Sequence, residues 1–133
     1  MSIELSEGAV KLLTEGKNIA HVATVMADGS PQVTPVWIDY DGKHILVNTA
    51  TGRVKWRNLQ RNPNVALSIV SEDSAYQAAT IRGRVVEMTE DGANDHIDKM
   101  SLKYLGQERY PGHRPGERRV LVRIEPLHQA GRV

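Results

Sequence analysis

Apolar positions recur along the chain with two periods, and the switches between them mark out the elements. Leu5, Ala9, Leu12 and Leu13 follow a helical repeat after Ser2 or Ser6, either of which suits a cap, and Gly16 supplies a stop. The spacing predicts a short amphipathic helix over Leu5–Glu15, lying as a lid on a sheet. From Asn18 to Met26 the period falls to two. Ile19, His21, Ala23 and Val25 lie on one side and Ala20, Val22, Thr24 and Met26 on the other. Both sides are largely apolar, as in a strand buried on two faces. Asp28-Gly29 is a hairpin turn, and Ser30-Pro31 opens a return strand from Gln32 to Asp39. Tyr40-Asp41-Gly42-Lys43 leads into a third strand, His44 to Asn48 or Thr49, and these three are expected to form a meander.

A basic, helix-compatible segment from about Thr51 to Arg61 ends at Asn62-Pro63-Asn64, where proline forbids continuation. Val65 to Val70 reads as a fourth strand. Tyr76 to Met88 reads as a long fifth, with its alternation broken at Gly83 by a bulge or sharp bend. Asp91 to Leu105 is helical, acidic in its first turn and stopped by Gly106. Residues 107–117 form a loop, and Arg119 to Glu125 alternates as a closing strand that Pro126 ends. The sum is a single domain over 1–133, mainly β with flanking helices (α+β). Its six antiparallel strands avoid exposed edges best by curling into a barrel. The helix inserted between strands three and four would then cover one opening and present its N-terminus there.

Charge sharpens this picture. The net charge is +1, but Lys/Arg less Asp/Glu gives −4 over residues 1–41, +5 over 42–71, −5 over 72–98 and +5 over 99–133. A total near zero argues against general nucleic-acid binding, which sums many phosphate contacts. Six scattered aromatics and no Phe give no platform for stacking bases. Alternating basic and acidic segments suit one focused anion site instead. Without cysteine there are no disulfides, thiolate chemistry or zinc–sulfur sites. No apolar run is long enough to span a bilayer and no leader pattern opens the chain, so a soluble cytoplasmic protein is expected, with no membrane partner.

The anion site is readable between Val47 and Arg61. An apolar run gives way to Asn48-Thr49-Ala50-Thr51-Gly52, and Arg53, Lys55, Arg57 and Arg61 follow on the helix. From Gly42 to Ser71 there is no carboxylate. Free backbone N–H groups, hydroxyls and cations at one point suit a phosphoryl group, with Arg53 and Lys55 nearest the turn. Arg57 and Arg61 also fit a solvated helix face. No Gly-x-Ser-x-Gly and no phosphate-binding glycine motif occurs, and His21, His44, His96, His113 and His128 lack metal-ligand spacing, so no metal is expected. A chain with an anion site but no evident acid–base machinery points to a bound cofactor as carrier of the chemistry. Pro35 within a strand marks an edge, or a place where something other than a strand lies alongside. Val36 and Trp37 then fit either a core or a wall for a planar heterocycle.

Taken together, Ala23-Thr24, Asp28-Gly29, Thr34-Pro35-Val36-Trp37, Asp41-Gly42, Asn48-Thr49 and Arg53-x-Lys55-x-x-Asn58-Leu59-x-x-Asn62-Pro63-x-Val65 resemble the pyridoxamine-phosphate-oxidase-like split β-barrel flavoproteins. They are most similar to the flavin/deazaflavin oxidoreductase B group, which uses the deazaflavin coenzyme F420. The resemblance spans about residues 5–127. It implies an FMN-binding-protein-like split barrel and a homodimer with cofactor sites between the barrels. By that likeness Arg53 and Lys55 bind the cofactor phosphate, with Asn48 and Thr49 nearby. Thr34, Pro35, Val36 and Trp37 line the ring, and the partner subunit contributes Tyr76, Gln77 and Ala78. Arg57, Arg61 or the 109–119 loop would hold an oligoglutamate tail. The implied activity is hydride transfer from reduced deazaflavin to an unsaturated or heteroaromatic small molecule. Catalytic residues are unassigned, and Tyr76, Tyr104 and Tyr110 are the candidate proton donors. An FMN-dependent oxidase or reductase, or a non-catalytic cofactor binder, are the alternatives.

Overall fold

A computed structural model describes residues 2–131 and 133. Its elements, in chain order, are α1 (Glu7–Thr14), β1 (Ala20–Val25), β2 (Pro31–Val36), β3 (Asp39–Tyr40), β4 (Ile45–Ala50), α2 (Val54–Arg61), β5 (Asn64–Val70), β6 (Ala78–Thr89), α3 (Ala93–Leu105) and β7 (Arg119–Gly131). Seven strands, not six, form one sheet in the order β2-β1-β5-β6-β7-β4-β3, a curled half-barrel whose end strands do not pair with each other. The added strand is the two-residue β3, too short for its periodicity to be read.

Local chemistry sets most boundaries. Ser6, rather than Ser2, caps α1 by accepting from Ala9 N at 3.1 Å. That helix buries Ala9, Leu12 and Leu13. They join Val22, Val47, Leu67, Ile69, Ile81, Val122 and Ile124 in the main core. Helix α2 starts later than the sequence suggests because Gly52, at φ 84°, turns the chain first. The ladder of β6 and β7 shifts register at Arg82/Gly83 and again at Val85/Glu87. At Gly83 an added Cβ would lie 2.6 Å from the Glu125 carbonyl oxygen, so close backbone approach demands glycine there.

Two further expectations are corrected. The third predicted strand does not complete a meander: β4 pairs with β7, from Ile45↔Ile124 to Ala50↔Arg119, and with β3. Five of its six positions are buried, which requires a place inside the sheet rather than beside an edge hairpin. The link from β2 to β3 is held by α3, through Ile38 N donating to Tyr104 Oη at 3.1 Å and Lys103 Nζ donating to Ile38 O at 3.0 Å. Strand β2, with Pro35, is left at the sheet edge. The other correction concerns Pro126, which does not end β7. It sits at the register shift, paired with Gly83 while His128 pairs with Arg82, where no ladder donor is required. Among the described residues no helix is long and apolar enough to cross a membrane.

Candidate functional site

The end of β2, the middle of β4, the start of α2 and the start of β7 meet around a cavity of about 390 Å³. Its walls are Ile19, Pro35, Val36, Trp37, Asn48, Thr49, Arg53, Lys55, Ile97, Tyr110 and Arg119. Backbone topology explains the meeting. Because β4 lies beside β7, Thr51 N donates to Arg118 O at 3.0 Å, and the helix that follows β4 begins next to Arg119. One wall is apolar and planar. Trp37 stacks on Tyr104 with centroids 5.3 Å apart and 4° between the planes, and Tyr110 meets its edge at 5.7 Å.

Another part of the lining is cationic. Arg53 Nη2 lies 3.6 Å from Glu117 Oε2, and Arg119 Nη1 lies 3.2 Å from Glu117 Oε1. Among the described residues no ion pair reaches Lys55. Burial, with the charges of Arg53 and Arg119 close by, pushes the Lys55 ammonium down from 10.5 to about 8. The N-cap of α2, Arg53, offers no side-chain acceptor, and the first turn carries no acidic residue. The leading N–H groups of that helix therefore add to the positive field.

Arg119 is itself buried and fixed. Its Nε donates to Asn48 Oδ1 at 2.8 Å, and its guanidinium lies 5.6 Å from the Tyr110 ring centroid. Asn48 Nδ2 donates to Ala93 O at 2.8 Å and lies 3.1 Å from His96 Nδ1. His96 Nε2 in turn lies 3.1 Å from Asp39 Oδ2, which Lys99 Nζ also reaches at 3.3 Å. Burial alone raises the Asp39 carboxyl. The His96 hydrogen bond, the Tyr40 N–H and the charges of Lys99 and His96 outweigh it and hold it at about 2.

Seven of the sequence-derived candidates line this cavity: Pro35, Val36, Trp37, Asn48, Thr49, Arg53 and Lys55. Thr34 does not line the cavity, and its hydroxyl is buried without a hydrogen-bond partner. Tyr76, Gln77 and Ala78 are not brought there within one chain. Tyr76 is 77% exposed, and Gln77 lines a separate cleft beside α1. Of the three tyrosines considered as proton donors, only Tyr110 borders the cavity. The Tyr104 hydroxyl is buried and donates to Asn18 O at 2.6 Å. Sequence reasoning missed Arg119 as a cavity residue because it faces the site only through the β4–β7 pairing. It also found no histidine clustered with a carboxylate, whereas His96 pairs with Asp39 and His113 with Asp98 across 57 and 15 positions. Among the described residues no group of His, Cys, Asp and Glu is arranged to hold a metal ion.

Comparison with known proteins agrees with this architecture. The family model described as pyridoxamine 5′-phosphate oxidase matches residues 6–129, and the chain belongs to that family. Within it, the chain resembles the F420-dependent reductases. It is 31% identical over 126 residues to an F420H(2)-dependent biliverdin reductase of Mycobacterium tuberculosis, covering 91% of this chain and 83% of that protein. A solved F420 reductase superposes with a TM-score of 0.81 at 30% identity, covering 95% and 98% of the two chains. A Listeria innocua structure with a provisional pyridoxamine 5′-phosphate oxidase description shares the fold, with a TM-score of 0.71 at 19% identity and coverage of 96% and 97%.

Proposed function

We propose that this chain is an F420-dependent oxidoreductase that passes a hydride from the reduced deazaflavin to an unsaturated or heteroaromatic small molecule. The observation that carries the reading is Lys55, a partly buried cation beside Arg53 and Arg119 with no carboxylate of its own. The donor set fits such a coenzyme, offering three cations and an uncapped helix start for a phosphoryl group, next to an apolar wall for a planar ring. The F420-dependent relatives support the choice of coenzyme.

Arg53, Lys55 and Arg119 hold the phosphoryl group, with Asn48 and Thr49 beside it. Pro35, Val36 and Trp37 orient the ring and exclude water from one face, with Thr34 adjacent on the same strand. When bound, the reduced deazaflavin supplies the hydride. Tyr110, on the loop bordering the cavity, is the side chain placed to hold a proton for the substrate, and solvent is the other source. A homodimer would bring Tyr76, Gln77 and Ala78 of a second copy to the open side.

Titration of the purified protein with coenzyme F420 and with FMN, following quenching of Trp37 and Trp56, tests the reading. Tight F420 binding that Lys55→Ala weakens is the expected result, and unchanged affinity would overturn the phosphate assignment. Preference for FMN would favour a flavin enzyme, since the same cations recognise its phosphate. Binding without turnover of quinones, enones or tetrapyrroles would favour a carrier. That reading draws on the scarcity of acid–base groups around the cavity.

A further inference from the structure

A carboxamide is nearly symmetric in shape, so its orientation is decided by what faces each end. The Asn48 side chain meets Arg119 Nε at 2.8 Å on one side, and guanidinium N–H groups only donate. On its other side it meets Ala93 O at 2.8 Å, which only accepts, and His96 Nδ1 at 3.1 Å, which accepts or donates according to where the ring proton sits. That proton is placed by the buried Asp39 carboxylate, 3.1 Å from His96 Nε2, because a carboxylate requires a donor. With the proton on Nε2, Nδ1 accepts, the Asn48 amide group faces it, and the amide oxygen faces Arg119. Neither His96 nor Asp39 lines the cavity.

We propose that His96, oriented by Asp39, is a positioning residue for the anion site: it accepts the second Asn48 amide N–H beside Ala93 O and so steadies the carboxamide whose oxygen pins Arg119. The inference rests on the phosphate-site reading above. The relay runs from β3 through α3 and β4 to β7, four elements whose spacing it makes consequential for one guanidinium. With Nε held by Asn48 and Nη1 by Glu117 at 3.2 Å, the remaining Arg119 N–H groups keep one geometry toward a bound phosphoryl oxygen. Without the imidazole, one Asn48 amide N–H loses its acceptor and the carboxamide is held on that side by Ala93 O alone, so the Nε acceptor of Arg119 is less firmly fixed.

The test uses two near-isosteres. Asn at position 96 places an oxygen where Nδ1 was, and Gln places its amide nitrogen near Nε2. Affinity is measured for coenzyme F420 and for the phosphate-free deazaflavin riboside, with thermal melting to confirm folding. His96→Asn is expected to keep F420 affinity, and His96→Gln to lose about tenfold, the scale of one charge-assisted hydrogen bond. Riboside affinity stays level in both, and the His96→Gln loss disappears when Arg119→Gln is already present. Equal effects of Asn and Gln, or a parallel fall for the riboside, would overturn the relay. If Lys55→Ala and Arg119→Gln also leave F420 affinity untouched, the phosphate site itself is wrong. If those two weaken binding and the His96 variants do not, only the relay fails.

Discussion

Two partly buried lysines, Lys55 at the start of α2 and Lys103 near the end of α3, meet opposite arrangements. Burial lowers the pKa of both. Lys103 is compensated: it donates to Leu13 O and Ile38 O, each at 3.0 Å, and Asp39 nearby favours its charge. Lys55 has two arginines for neighbours, and they lower it further. The difference separates a lysine that ties elements together from one that has no ion-pair partner among the described residues. Desolvation is common to both, so burial alone does not identify a site; the sign of the surroundings does.

Substitution of each lysine gives the largest contrast. Lys55→Ala should weaken coenzyme F420 binding ten- to a hundredfold, the equivalent of about 1.5–3 kcal/mol for a hydrogen bond to a charged group. Its melting temperature should hold or rise, because a repelled cation is gone. Lys103→Ala should do the reverse. It strands two carbonyls at a cost of about 1–3 kcal/mol in denaturant unfolding while leaving coenzyme affinity level. If both variants lose affinity equally, the comparison breaks.

Acid sharpens the compensated side. The Asp39 carboxyl is held at about 2 against an ordinary 3.8, so its contribution is complete above 3.8 and is lost as pH falls toward 2. The shift corresponds to about 2 kcal/mol. Denaturant melts between pH 5 and pH 2 should show that decline, and Asp39→Asn should flatten it.

Alkali sharpens the other side. The folded value of Lys55 lies below its ordinary one, so between about 8 and 10.5 the unfolded chain binds the extra proton, and stability rises with pH. Coenzyme affinity should fall across the same window as the ammonium is lost. Lys55→Arg, which stays charged, should carry binding to higher pH in the same fluorescence titration.

The smallest expected effect lies at the tyrosines. Tyr110→Phe should slow turnover without altering coenzyme affinity, whereas Tyr104→Phe should lower stability, since its hydroxyl bridges Asn18 O and Ile38 N. Single-turnover rates and melting curves distinguish the two.

Much of the site was legible because its pieces are local. The hydroxyl turn and the cations of α2 adjoin one another in sequence, and Pro35 within a strand signals an edge or a place where something other than a strand lies alongside. Arg119 was not legible in the same way. It begins an ordinary alternating strand, and its burial follows from lying opposite Ala50. The meander expectation, reasonable from short connections, placed β4 beside β2 and so hid that pairing.

The sequence by itself determined where most helices and strands run, though not β3 or the course of β7 past Pro126, together with the irregularity at Gly83 and the carboxylate-free basic stretch. Each depends on neighbours a few positions apart, through periodicity, turn chemistry and local charge. Only the tertiary structure decided that β4 joins β7, that Arg119 turns into the cavity, and that Asp39, His96 and Asn48 connect from three elements. Strand periodicity states which face is buried but not which strand covers it, and contacts across 57 or 71 positions leave no local trace.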